Sequence, residues 1–372
     1  LRPPPASQLS RRFQMPDPFK IKEEDAIRVD GEALRSATTA LFVKVGVTLE
    51  DAALAADVLV AADLRGVDSH GVSNMLKTYL DRYADGTQNI TPAWRIVSER
   101  ASIANIDADL GLGVIIAPKA MEIAIAKARD TGVGVVTVTN SGHLGMAAYH
   151  AMLALPHDMV GMCMTAAGAQ VLPTFGREPR LGTNPIAIAA PAGNEPAWVF
   201  DMATSVVPIN KLRNAHRMGT VLPPGHIADV DGNPLMDEVV APADYLVLPL
   251  GGTRDQGSHK GYGLASAVEI LCSILAGAQF GLRLPRYSFR HYLAAYDISA
   301  FSDVAQFKQT MDEFIGELKA TPPAPGHDRV LVAGQPEWEM LADRTVNGIP
   351  LHQDVVDWFR NTCAEFSVPC DI

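Results

Sequence analysis

GLGVIIA, residues 111–117, decides the fold. It stands between a strand-like stretch, RIVSERASIANIDAD (95–109), and an amphipathic run, GVIIAPKAMEIAIAKARDTG (113–132). Its GxGxxxA spacing matches the turn with which a βαβ unit cradles a dinucleotide, where glycines let the backbone approach a pyrophosphate at a helix N-terminus. The match is incomplete. Such a unit also needs an acid at the end of the next strand, about 20 residues on, to hold a ribose hydroxyl. The next strand, GVVTVTN (134–140), runs into Asn140-Ser141-Gly142-His143, and the nearest acid, Asp130, falls on the preceding helix. A standard Rossmann domain is therefore not expected. The helix itself should place Pro118 in its first turn, bury Ala117, Met121, Ala124 and Ala128 on one face, and stop at Gly132.

Towards the N-terminus, residues 22–64 read as two amphipathic helices parted at VGVTLED, with Thr48 as N-cap before Glu50 and Asp51. SNMLKTYLDRYADG (73–86) reads as another helix that ends at Gly86. After 133 the texture changes to short apolar runs, GVGVVTVTN, MVGMCMTAA, PIAIAAPA and AWVFDMAT, divided by Gly, Pro, Asn and Asp. No crossover helix fits between the last two, so those strands should be antiparallel. Residues 212–239 read as loop with a turn at DVDGNP, GYGLASAVEILCSILAGA (261–278) as a helix buried on most sides, and 302–320 and 352–366 as further helices. The expected class is α+β. Helical N- and C-terminal segments (21–90 and 300–372) would pack as one domain around an inserted, mostly antiparallel, sheet-rich domain (91–299). Residues 1–20 lack an apolar core and read as a flexible lead-in, not a secretory signal.

The formal charge of −11 argues against nucleic acid as a partner. No stretch offers the ~18 apolar residues of a membrane span. The four cysteines show no paired-ligand spacing, and Cys163 and Cys272 sit in apolar runs as buried thiols would. No HExxH and no His pair at helical spacing appears, so no metal site is expected; nor is there a GxSxG nucleophile.

Chemistry concentrates in clusters at the ends of apolar elements: DSHG (68–71), TNSGHLGMAAY (139–149), LGTNP (181–185) and GSHKGYG (257–263). Small residues beside His or Lys let a ligand approach the backbone. His70, with an ordinary pKa near 6.5, suits a general acid oriented by Ser69 or Asp68; a capping histidine is an equal reading of the spacing. His143 reads more simply as a backbone-bonded loop residue. Lys260 suits an anion, and Asp201 in VFDMATS suits a helix cap, a ribose hydroxyl or a histidine.

Taken together, RGVDSHGV, NSGHLGMAAYHA, LGTNPIAIAAPA, FDMATS and HKGYGLASAVEILCSILAGA resemble, in order from about 22 to about 345, the signature segments of the malate/L-lactate dehydrogenase family. This is the lineage without a Rossmann domain that includes ureidoglycolate and sulfolactate dehydrogenases, 2,3-diketogulonate reductase and Δ1-piperideine-2-carboxylate reductase. The resemblance implies a cytoplasmic homodimer that interconverts 2-hydroxy and 2-oxo acids with NAD or NADP, the cofactor lying in the sheet-rich domain. Cyclic imino-acid reduction, or a binding role without catalysis, are the alternatives.

By motif, the resemblance makes His70 the proton donor positioned by Ser69, with His143 acid/base in some relatives. It assigns the cofactor to His143, Leu144, Gly145, Met146, Ala147, Thr183, Asp201, Met202, Ala203, Lys260, Gly261 and the AGQPE loop at Gly334, Gln335 and Pro336. Asn184 would hold cofactor or substrate. The family usually has Arg four residues after the catalytic His, suited to clamp a carboxylate; here that residue is Asn74. Where some imine-reducing relatives have an acid, this chain has Lys211, and its GGTRDQGSHKGYG loop is longer and brings Arg254 to the rim. Asn74, Lys211 and Arg254 are thus the expected substrate contacts.

Overall fold

A computed structural model describes residues 21, 23–283 and 287–372, so the lead-in expected over 1–20 lies outside the described residues. The chain opens with strand β1 (Ala26–Val29) and helices α1 (Gly31–Lys44), α2 (Leu49–Leu64) and α3 (Val72–Ala84). It continues through β2 (Arg95–Glu99), β3 (Ile103–Asp107), α4 (Gly113–Thr131), β4 (Val133–Ser141), α5 (Ala147–Met152), β5 (Met159–Ala166), β6 (Ile186–Ala190) and β7 (Trp198–Met202). Then come α6 (Ile209–Met218), the short strands β8 (Val221–Leu222), β9 (Ile227–Ala228), β10 (Val239–Val240) and β11 (Leu246–Val247), and α7 (Ser258–Glu269), which runs into a π turn over Ile270–Ile274. The last elements are β12 (Phe289–Asp297), α8 (Val304–Ala320), α9 (Gln335–Asn347), β13 (Ile349–His352) and α10 (Gln353–Phe366).

The first helices begin where capping chemistry places them. Asp30 Oδ1 accepts the N–H groups of Glu32 and Ala33, and Thr48 Oγ1 accepts that of Asp51, which satisfies donors a bare helix start leaves unpaired. β1 pairs antiparallel with β13. A core of Leu34, Leu41, Phe42, Leu59, Leu76 and Tyr79 closes on Val356, Phe359 and Cys363, so the two ends of the described chain pack together. α8 lies elsewhere. Its Asp312 accepts from the N–H groups of Gly193, Asn194 and Glu195, and its Lys308 pairs with Asp158.

The main sheet runs β2-β3-β4-β12-β5-β6-β7, and every neighbouring pair is antiparallel except β3–β4. The α+β class, mostly antiparallel and not a standard Rossmann fold, is what the sequence led us to expect. GLGVIIA does open the one parallel βαβ crossover of this sheet, but its glycines serve packing. A Cβ on Gly113 would lie 2.4 Å from the Gly142 carbonyl oxygen, and the free N–H of Val114 is taken by the His143 carbonyl at 3.2 Å. The backbone of residues 142–143 fills the helix end where a pyrophosphate would sit in a Rossmann unit.

Local expectations need correction in four places. Pro118 stands in the second turn of α4, not the first. Residues 209–218, read mostly as loop, form α6. Gln335 and Pro336 belong to the first turn of α9, not to a loop. The α7 helix with its π turn is not buried on most sides: Leu264, Ile270, Ile274 and Leu275 are exposed, Leu275 by 63%.

Candidate active site

The catalytic histidine of the sequence reading sits on a short 3-10 turn, Asp68–His70, between α2 and α3. Gly71 follows because nothing larger fits: a Cβ there would lie 1.8 Å from Asp63 Oδ1. Asp63, fully buried near the end of α2, accepts the Val72 N–H at 2.8 Å and so starts α3. Burial, then the neighbouring Asp68 carboxylate, hold the Asp63 carboxyl well above its ordinary range. Asp68 is gripped by Arg344 of α9, and its carbonyl accepts from Asn74 Nδ2 at 2.8 Å. Asn210 of α6 donates to the Ser69 carbonyl at 3.0 Å. Three elements therefore fix one turn.

On that turn Ser69 Oγ lies 2.9 Å from His70 Nδ1, which leaves Nε2 for chemistry. Burial and the nearby Lys211 cation lower the His70 pKa to about 4, so the imidazole rests neutral. His143 stacks on it, ring centroids 5.5 Å apart and planes 17° apart. The Gly145 N–H points at His143 Nδ1 at 3.1 Å and the Tyr79 hydroxyl lies 2.7 Å from the same atom. Nδ1 is thus the acceptor, and the His143 proton resides on Nε2. Burial, with His70 beside it, keeps His143 well below 6.5.

The loop bearing His143 is pinned through three successive carbonyls. His291 of β12 donates to Gly142 O at 3.1 Å, Val114 to His143 O, and His150 to Leu144 O at 2.7 Å.

A cleft of about 700 Å³ opens beside His70, a size typical of small-ligand sites. It brings together Ser69, His70, Gly145, Met146, Ala147, Thr183, Asp201, Met202, Ala203, Lys211, Gly334 and Pro336 from segments far apart in sequence. Other expected residues lie outside its lining. His143 backs His70, and Leu144 is fully buried. Asn184 is fully buried, its Oδ1 accepting from Ala167 N–H and its Nδ2 donating to Ala265 O. Asn74 holds the Asp68–His70 turn. Arg254 donates to His259 Nδ1 at 2.9 Å, Lys260 is exposed, and Gly261 packs so close to Leu250 that a Cβ would lie 2.3 Å from its carbonyl oxygen. Gln335 reaches Glu339 at 3.0 Å.

The sequence reading missed two charged residues of the lining. Arg65, at the end of α2, stacks its guanidinium 4.3 Å over the Trp338 ring, and its Nε and Nη1 are buried without a hydrogen-bond partner. Glu337 of α9 also lines the cleft. Asp201, whose Oδ2 accepts the Ala148 N–H at 2.8 Å, completes the group. Desolvation within the cleft wall, and then the nearby Glu337 carboxylate, push its carboxyl up to about 7. The signal for Arg65 was present in RGVDSHG, since a cation closing an apolar helix four residues before a Ser-His pair is placed to line the same site. Among the described residues no cluster of His, Cys, Asp and Glu could hold a metal ion, and no helix is long and apolar enough to cross a membrane.

The sequence model of malate/L-lactate dehydrogenases matches residues 29–360. The chain belongs to the malate/L-lactate dehydrogenase family. It is 40% identical over 343 residues to malate dehydrogenase of Pyrococcus horikoshii, covering 90% of this chain and 94% of that one. L-sulfolactate dehydrogenase of Methanocaldococcus jannaschii is 36% identical over 332 residues, 87% of this chain and 93% of the relative. The solved structure of the Pyrococcus horikoshii malate dehydrogenase superposes with a TM-score of 0.87 at 36% identity, over 94% of this chain and 99% of that one. As a member of this family the chain is an oxidoreductase acting on CH–OH groups, and the family implies a nicotinamide cofactor. The cleft fits such a group: its volume suffices, and a buried guanidinium in its wall has hydrogen-bonding capacity that no atom of the described residues uses.

Proposed function

We propose that the protein is an NAD(P)-dependent dehydrogenase that interconverts a 2-hydroxy acid and a 2-oxo acid of the malate or sulfolactate kind, with His70 as the acid/base. The observation that carries this reading is the seat of His70: neutral, oriented by Ser69, lining the cleft with the Lys211 cation near enough to lower its pKa. A neutral imidazole is ready to accept the hydroxyl proton of a 2-hydroxy acid. Lys211, which lines the same cleft, would hold the substrate carboxylate in the role usually filled by an arginine at the position of Asn74. Carboxylate binding offsets the Lys211 charge, raises the His70 pKa, and so favours the imidazolium that must form as the proton moves. Asn74 acts as a positioning residue, tying down the Asp68 carbonyl two residues before His70.

When bound, the nicotinamide supplies or takes the hydride at the carbinol carbon. Gly145 to Ala147, Thr183, Asp201 to Ala203, Gly334 and Pro336 would hold the cofactor, since all line the cleft that His70 enters. His143 keeps the His70 ring in place by stacking. The enzyme would act as a cytoplasmic homodimer, with the exposed apolar side chains Leu264, Ile270, Ile274 and Leu275 of α7 and its π turn covered by self-association.

The test is a panel of 2-oxo acids and cyclic imines assayed by nicotinamide absorbance with NADH and NADPH. Turnover of oxaloacetate-like dianions is expected. Turnover of cyclic imino acids alone would replace this reading with imine reduction, and no turnover with either cofactor would favour a binding role.

A further inference from the structure

We propose that Arg65, Asp201 and Glu337 form a cradle for a vicinal diol, the 2′,3′-hydroxyls of a cofactor ribose; this rests on the nicotinamide-nucleotide reading above. The three residues come from the end of α2, the end of β7 and the first turn of α9, and all line the cleft. Their polar capacity is largely unspent. Among the described residues Arg65 Nε and Nη1 have no hydrogen-bond partner, the Glu337 carboxylate makes no hydrogen bond, and the Asp201 carboxylate accepts only from Ala148 N–H. The cation feels both carboxylates electrostatically but pairs with neither in a salt bridge. It is held instead over Trp338.

An unpaired buried guanidinium facing two carboxylates is costly unless a ligand completes it. The complement is a group with two hydrogens to donate and oxygens that accept. A phosphate or carboxylate fits poorly, because the Glu337 carboxylate already balances the Arg65 charge and would repel a second anion. A neutral diol satisfies all three: its hydroxyl hydrogens go to Asp201 and Glu337, and its oxygens accept from Arg65.

Two riboses of the cofactor carry that diol, and a 2′-phosphate on the adenosine ribose removes it. The experiment measures Kd for NADH and NADPH by reduced-nicotinamide fluorescence, and for AMP and nicotinamide mononucleotide by calorimetry, in the wild type, Glu337→Gln and Glu337→Ala. Glu337→Ala should weaken NADH by roughly tenfold, the scale of a lost hydrogen bond to a charged group, with Glu337→Gln intermediate. If the cradle holds the adenosine ribose, the wild type binds NADPH at least about tenfold more weakly than NADH, AMP loses affinity in the variants, and Glu337→Gln narrows the gap. If it holds the nicotinamide ribose, NADH, NADPH and nicotinamide mononucleotide weaken together and AMP is unaffected. Unchanged Kd for all four nucleotides in both variants overturns the cradle while leaving the functional reading intact. A wild type that binds neither reduced nucleotide overturns both.

Discussion

Ser69 and His70 were legible because a Ser-His-Gly run at the end of an apolar helix combines orientation, a titratable ring and room for a ligand in consecutive residues. Asn74 was read as a substrate contact because its position in the motif belongs to a clamp; its shorter side chain turns to the Asp68 carbonyl instead. Tyr79 was invisible. It falls on the buried stripe of α3 with Met75, Leu76, Leu80 and Tyr83, and only its hydroxyl, 2.7 Å from His143, separates it from ordinary core. At this scale Lys211 gives a sharp prediction. Its positive charge adds to burial in lowering His70, so Lys211→Ala should move the acidic limb of the kcat/KM profile upward, towards the ordinary value near 6.5. KM for the 2-oxo acid should rise as well, and an unmoved limb with unchanged KM would remove Lys211 from the site.

Elements with a clean period, α2, α4, β4, β5, β6 and β7, could be read directly. β12 could not, although it is the central strand, paired with both β4 and β5. Its Arg290 and His291 break the apolar pattern, and only tertiary partners, Gly142 O and Thr165 Oγ1, make a buried histidine acceptable there. GLGVIIA illustrates the opposite case, a motif whose glycines answer to close packing between α4 and the His143 loop. Gly71 belongs to the same class. Gly71→Ala would drive a methyl into the Asp63 carboxyl, so Tm should fall by several degrees and kcat should fall with it as the turn shifts. A variant with wild-type Tm and kcat would show that the turn is not held as described. The face of α7 and its π turn was expected to be buried, because its composition is that of a core helix, yet nothing among the described residues covers it. Leu275→Glu is accordingly expected to convert a dimer to monomers in sedimentation, and an unchanged mass would place self-association elsewhere.

For the whole molecule, acid sensitivity follows from its buried titratable groups. His70, His143, His150 and His291 are all held below 6.5, chiefly by burial. As pH falls from 6.5 towards 4 the unfolded chain takes up protons that the fold refuses, and stability is lost. Asp63 and Asp201, both raised, act in the opposite sense, because the fold keeps protons that the unfolded carboxyls give up above about pH 4. Four groups against two leave a net loss on acidification, so Tm should drop between pH 6.5 and 4, and His291→Gln should flatten that slope. The most direct test of the account is the single-turnover rate of hydride transfer from reduced nicotinamide to a 2-oxo dicarboxylate, in the wild type and in His70→Ala, with nucleotide Kd measured in both. The rate should fall by roughly two orders of magnitude or more with Kd unchanged, whereas a His70→Ala enzyme that transfers hydride at the wild-type rate would contradict the assignment of His70 as the acid.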